Sequence, residues 1–371
     1  MLSEFNEDQR LWQSTVRDVL TKECTPALVR AVADTGADTD GLWRTYASLG
    51  WTQLVDPSET VELGIVLEEL GRAVDPTPFL ATMSQFVPLA PDVAEPTQTG
   101  TAVHEGITAR RDGDGWVLDG TAHRVLDGDR ADWLAVVTTE GVFAVPAASV
   151  TTRRAAIFDP LLHVAEVTLT GIRVTADART GADPAKAREH ALTGLAMTMV
   201  GASQRVLDLV LDHARTRQQF GVPIGSFQAV KHKAADMHVA IERARALAYF
   251  AALTIAEDDP RRRLAASMAK AAAGECQSLV FRHGLQLFGG MGYTWENDLQ
   301  FALKRAKAGE ALLGGADEHR SLIAEEHRSL VAEGSLSVTP GTGAAGGAKE
   351  DHSHTSVSAP EKGGEHRAAH V

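Results

Sequence analysis

The spacing of hydrophobic residues divides the chain into patterned and unpatterned stretches. In residues 1–95 the apolar positions recur at helical spacing, first around Leu11, Val16 and Leu20 and later in VELGIVLEELGRAV. The prolines of DPTPF stop the later helix. We predict an N-terminal helical domain over residues 1–95.

The pattern changes to short β-type runs in residues 96–180. WVLDG, ADWLAVVTT, GVFAVPA and HVAEVTLTGIRV are separated by glycine and aspartate turns, which predicts a small, shortened middle β domain. Long amphipathic runs return in residues 181–333 and predict a C-terminal domain of the four-helix type.

Residues 334–371 have almost no large apolar side chains, so burial cannot offset the entropy of ordering them, and we predict a disordered tail. Its histidines, His352, His354, His366 and His370, are expected to be solvated, and no metal site is predicted.

Composition narrows the classes of protein. The chain has 371 residues, enough for two or three packed layers, and a net charge of −13, which disfavours a nucleic-acid partner. No apolar run approaches the roughly 20 residues that a membrane helix needs, and the start is polar, so a cytoplasmic protein without a membrane partner is predicted. Cys24 and Cys276 lack metal or redox spacing and are expected to be buried and unpaired.

Two segments near the C-terminal end have the most specific pattern. They are ARTRQQFGVPIGSFQAVKHKAADM at 214–237 and QLFGGMGYTWENDLQFALKRAKA at 286–308. An arginine at a helix end is suited to charge-assisted hydrogen bonds with a pyrophosphate. Adjacent glycines let the backbone approach a ribose or adenine closely. The two segments together indicate a nucleotide cofactor.

These segments, R-x-x-FG-x-PI-x-x-FQ and Q-x-x-GG-x-GY, resemble the C-terminal helical domain of acyl-CoA dehydrogenases. LWRTYASLGWTQL, VLEELGRAVDPTPFL and GDGWVLDGTAHRVLDGDRADWLAVV extend the resemblance over about residues 1–325. It implies the α+β fold of that family. It also implies FAD chemistry in which a glutamate removes the α-proton of a CoA thioester and the flavin takes the β-hydride.

The resemblance also implies a set of cofactor-binding residues that reach across a subunit interface. They are Arg217, Phe220, Gln228, Gln286, Gly289 and Gly290, called the clasp below. From the residues alone, Phe220 with Phe227 is equally consistent with a core staple, and the two glycines with a helix stop.

The family's glutamate base is missing from both positions that the family uses. By alignment, Gly314 in LLGGADEHR occupies one position and Ala191 the other, so no catalytic residue is predicted. Nearby carboxylates are interpreted as solvated helix charges or helix-end acids. They are Glu189, Glu310, Asp317, Glu318, Glu296 and Asp298.

The β domain also lacks the family's TEPGAGSD-like loop and W-I-T/S segment, both of which contact the flavin. The resemblance is therefore to the non-catalytic, β-type subunit of heteromeric α2β2 acyl-CoA dehydrogenases. It implies as partners a second acyl-CoA dehydrogenase-like subunit, an acyl-CoA, possibly of the bulky steroid type, and an electron-transfer flavoprotein. The open alternatives are a homotetramer with an unrecognised base such as Glu189 or Glu310, a redox-inactive scaffold, and hydration of the same CoA substrates.

Overall fold

The computed structural model describes residues 5–332, and residues 5–328 belong to one compact unit. Helices precede and follow a block of strands, which confirms the predicted α+β fold class. The domain boundaries at residues 95, 180 and 333 remain predictions. The stretch predicted as a disordered tail, with its histidines, lies outside the described residues.

The helices confirm the periodic stretches. They are α1 (Glu7–Glu23), α2 (Pro26–Thr35), α3 (Asp40–Ser48), α4 (Thr60–Ala73), α5 (Phe79–Ala81, followed by a π turn over Thr82–Phe86), α6 (Pro184–Thr216), α7 (Gln228–Ala256), α8 (Arg262–Phe288), α9 (Leu299–Ala311) and α10 (Ala316–Ala332). Each of the four predicted β runs contributes a strand, within β3, β4, β5 and β7 as bounded below.

Eight strands form two four-stranded sheets, and a short hairpin lies between α6 and α7. The strands are β1 (Gly100–Val103), β2 (Ile107–Asp112), β3 (Gly115–Leu126), β4 (Trp133–Thr138), β5 (Gly141–Pro146), β6 (Thr151–Arg154), β7 (Val164–Val174), β8 (Arg179–Thr180), β9 (Gln218–Gln219) and β10 (Val222–Pro223). The sheet orders are β1-β4-β5-β8 and β2-β3-β7-β6, and only the β1–β4 pair is parallel among the strands described. Buried side chains of both sheets, such as Leu118, Phe143 and Val167, share one core.

The long helix α6 is central to the helical core and crosses α4 at very short range. A Cβ added at Gly201 would lie 1.9 Å from the carbonyl oxygen of Glu68, and one added at Gly71 would lie 2.3 Å from that of Thr198. Because no side chain fits between the two backbones, glycine is required at both positions.

The prediction that Leu11 shares a helix face with Val16 and Leu20 is wrong. Val16 and Leu20 are buried, but Leu11 is 68% exposed. Val16 is five positions after Leu11, so their side chains point about 140° apart around a helix.

The cysteine prediction is confirmed, because Cys24 and Cys276 are both buried and unpaired. No helix in the described part of the chain combines the length and apolar character needed to cross a bilayer.

Candidate functional site

The first motif segment runs from the end of α6 into the start of α7, and the second runs from the end of α8 into α9. In the last turn of α6 the imidazole ring of His213 stacks on the ring of Phe288, the last residue of α8, with centroids 4.4 Å apart and planes 13° apart. This contact joins the segment that contains Arg217 to the segment that contains Gly289 and Gly290, although the two are far apart in sequence.

A tight turn connects α6 to α7. The Arg217 backbone N–H donates to the His213 carbonyl at 2.8 Å, and the Ile224 N–H donates to the Arg217 carbonyl, also at 2.8 Å. Between them the β9–β10 hairpin turns at Phe220 and Gly221, whose φ angles are +53° and +80°. The hairpin places Phe220 at its tip.

All six clasp residues are exposed. The Phe220 side chain is 93% exposed and meets the Phe227 ring edge-on at 6.2 Å, so Phe220 is not part of the core. Gly289 does end α8, as a helix stop would, since its φ is +62° and its N–H donates to the Leu285 carbonyl. A Cβ added at Gly289 or Gly290 would meet nothing within 4 Å.

The polar side chains of the clasp have no hydrogen-bond or ion-pair partner in the described part of the chain. The side chains of Arg217, Gln228 and Gln286 make no hydrogen bond or ion pair with residues 5–329. One turn before Gln286, the buried Nδ1 atom of His283 also lacks a partner in this part of the chain. A free guanidinium, two free amides and open glycine backbone fit the phosphates and sugars of a nucleotide cofactor such as FAD.

A cavity of about 430 Å³ lies between the strands and the loop that joins α9 to α10. Its lining includes His104 after β1, Arg124 on β3, Arg188 on α6, and residues 311–315 with Glu318. The Nε2 atom of His104 is buried without a hydrogen-bond partner among the described residues. Burial, with Arg188 nearby, lowers the pKa of His104 to about 4, so this imidazole is neutral at neutral pH.

The α9–α10 loop is held through its carbonyl groups. Lys270 Nζ donates to the carbonyls of Gly314 at 2.6 Å and Glu310 at 3.3 Å, and Arg188 donates to that of Leu313 at 3.3 Å. Lys270 is fully buried, and burial lowers its pKa to about 8. Leu313 and Gly314 both have positive φ, +55° and +98°, a backbone conformation that a non-glycine residue seldom adopts.

The two expected base positions differ in their surroundings. Ala191 is fully buried in α6, whereas Gly314 lines the cavity. The Glu318 carboxylate reaches the space above Gly314: its Oε2 lies 2.9 Å from where a Cβ on Gly314 would stand. Glu318 is nevertheless exposed in the first turn of α10, as expected for a solvated helix charge.

Glu189 and Glu310, named above as possible bases, are not among the residues that line the cavity. Glu189, which the sequence interpretation placed in solvent, is buried. Glu189 forms an ion pair with Arg262 at 2.8 Å, and burial raises the pKa of Glu189 although Arg262 opposes the shift. Glu310 accepts a hydrogen bond from the Ala316 N–H at 2.9 Å and stabilises the turn into α10.

Comparison with known proteins agrees with this architecture. Residues 188–327 match the model of the acyl-CoA dehydrogenase C-terminal domain. The chain is 32% identical over 317 residues to acyl-CoA dehydrogenase IpdE2 of Mycobacterium tuberculosis, and the match covers 83% of this chain and 93% of that protein. The chain therefore belongs to the acyl-CoA dehydrogenase family, oxidoreductases that act on CH–CH bonds.

Solved structures share the fold. The ChsE4–ChsE5 complex from Mycobacterium tuberculosis matches with a TM-score of 0.79 at 24% identity, covering 88% of this chain and 98% of the matched chain. A variant of the Tcur3481–Tcur3483 steroid ACAD matches with a TM-score of 0.77 at 27% identity, covering 89% and 99%. A glutaryl-CoA dehydrogenase from Mycobacterium smegmatis, solved with FADH2, matches with a TM-score of 0.77 at 19% identity, covering 88% and 95%.

Proposed function

We propose that this chain is a subunit of an FAD-dependent acyl-CoA dehydrogenase that completes a flavin site held mainly by a second, acyl-CoA dehydrogenase-like subunit. One observation carries the proposal. The clasp residues are all exposed, and their polar side chains have no partners within the described part of the chain, whereas neither expected base position has a carboxylate. This chain therefore has groups ready for a cofactor beside it and lacks the proton acceptor for its own chemistry.

Each clasp residue has a proposed task. Arg217 binds the pyrophosphate, Gln228 and Gln286 hydrogen-bond to the nucleotide, and Gly289 with Gly290 lets the backbone approach it. Phe220, at the hairpin tip, covers an apolar part of the cofactor. When bound, FAD supplies the acceptor for the hydride that leaves Cβ of the thioester.

The proton is removed elsewhere. Gly314 and Ala191 have no group that accepts a proton, so the α-proton passes to a glutamate of the partner subunit. The proposed electron acceptor of the complex is an electron-transfer flavoprotein, and its proposed location is the cytoplasm. A bulky, steroid-type acyl-CoA is the proposed substrate, supported by the likeness to the Tcur3481–Tcur3483 steroid ACAD.

The test compares this chain purified alone with the same chain co-expressed with acyl-CoA dehydrogenase-like candidates for its partner. We expect little flavin absorbance in the lone chain and a yellow complex with one FAD for each pair of chains. Stoichiometric FAD in the lone chain contradicts the proposal. Absence of FAD in every pairing favours a redox-inactive scaffold instead.

Glu318 favours a second candidate, a self-sufficient dehydrogenase, because its carboxylate lines the cavity beside Gly314. Glu318→Gln removes the proton acceptor, and Asp317→Asn is the matched control on the same turn of α10. The partner-subunit proposal predicts equal activity for both variants in the complex. A lone chain that holds FAD and loses its activity only with Glu318→Gln supports the second candidate.

A further inference from the structure

The ring stack between His213 and Phe288 joins the ends of α6 and α8. We propose that His213 is a positioning residue that holds Arg217 beside the Gly289–Gly290 segment and so sets the affinity of the clasp for the dinucleotide cofactor. This inference rests on the proposed function.

His213 contacts both halves of the clasp. Its carbonyl accepts the Arg217 N–H at 2.8 Å and the Thr216 hydroxyl at 3.3 Å, which fixes the backbone where the arginine leaves the helix. Its ring stacks on Phe288, the residue immediately before Gly289. One residue therefore links the backbone of Arg217 to the residue that precedes the glycine segment.

Such a link is needed because both halves lie at helix ends. The last turns of helices fray, since their final carbonyl groups lack partners within the helix. Gly289 and Gly290 have open space where a side chain would be, so no side chain of their own fixes them against the rest of the chain. The His213–Phe288 stack supplies a contact between rings at this point.

The charge state of His213 suits this role. Burial and the nearby Arg217 both lower its pKa, so the ring is neutral at neutral pH. A neutral ring stacks on Phe288 and leaves Arg217 as the cation that meets the phosphates.

The experiment measures the FAD dissociation constant of the complex of full-length chains, after removal and titration of the flavin. Loss of an aromatic pair in His213→Ala is expected to weaken FAD binding by roughly threefold to tenfold. His213→Phe keeps a stacking ring and is expected to restore wild-type affinity. His327→Ala, an exposed histidine on α10, is the control and is expected to have no effect.

A double-mutant cycle with Arg217→Ala separates positioning from general stability. If His213 acts by placing Arg217, His213→Ala has little further effect once the arginine is gone. Independent, multiplying effects, or a failure of His213→Phe to restore affinity, overturn the inference. A wild-type complex that binds FAD while His213→Ala binds it equally well overturns this inference alone, whereas a wild-type complex without FAD overturns the proposed function.

Discussion

At the residue scale, Gly290 offers a test of the proposed approach of the clasp to the cofactor. A methyl group added there meets nothing within 4 Å, so Gly290→Ala is expected to leave the thermal stability of the lone chain unchanged. In the complex, the same methyl group occupies space proposed for the cofactor. Overpacking of about 1–3 kcal/mol corresponds to a loss of FAD affinity of roughly fivefold to a hundredfold.

Gly181→Ala is the matched control, since a Cβ added there also meets nothing within 4 Å and Gly181 lies outside the clasp. Flavin titration of the two complexes provides the measurement. Equal FAD affinity for both variants would show that the Gly289–Gly290 segment does not approach the cofactor.

Lys270 permits a prediction about pH at the same scale. Burial lowers its folded-state pKa from 10.5 to about 8. Between these values the unfolded chain holds the proton and the folded chain releases it, so the contribution of Lys270 to stability rises with pH. We expect the free energy of unfolding of Lys270→Met to rise less between pH 8 and 10.5 than that of the wild type, as measured by urea unfolding at several pH values.

An exposed lysine gives the control for that series. Lys231→Met on α7 is expected to follow the wild-type pH dependence, because Lys231 is exposed. Identical pH dependence of Lys270→Met and the wild type would mean that Lys270 keeps an ordinary pKa in the folded chain.

At the scale of elements, the crossing of α4 and α6 determines how closely the N-terminal helices approach the helical core. Gly201→Ala would bring a methyl group against the Glu68 carbonyl oxygen, so the two helices must separate. We expect a loss of roughly 1–3 kcal/mol in the free energy of unfolding, measured by chemical denaturation.

Gly41→Ala is the control for this substitution. Gly41 lies in α3 with nothing within 4 Å of an added Cβ, so alanine there is expected to stabilise the helix by about 0.5–1 kcal/mol. A neutral Gly201→Ala would show that α4 and α6 tolerate a wider crossing.

The helices and strands could be predicted from the sequence, but the contacts between them could not. Periodicity indicated α4 and α6, and alternation with turn residues indicated β3 and β7, because both depend on local spacing. The His213–Phe288 stack joins residues far apart in the chain, and no local pattern specifies such a contact. The surroundings of Glu189 were misjudged for a related reason: the sequence indicated a solvated helix charge, whereas the side chain is buried and paired with Arg262 of α8.

At the scale of the whole molecule, the chain has the family fold and an exposed clasp. The fold was predictable because motif spacing at 214–237 and 286–308 is specific. The proposed role of the clasp was harder to predict, because a surface proposed to meet another chain appears in one sequence only as polar and glycine positions. The structure contributes the exposure of these positions and their position on three neighbouring helix ends.

The most direct test of the account measures FAD per pair of chains in the complex when only this chain is altered. The variant carries Arg217→Ala and Gln286→Ala, and Arg215→Ala is the control, an exposed arginine two residues away that pairs with Asp212. We expect the wild type, the control and the double variant all to assemble with an unaltered partner. Only the double variant is expected to lose most of its FAD. A double variant that assembles and keeps its full complement of FAD would contradict a flavin site shared across the two chains.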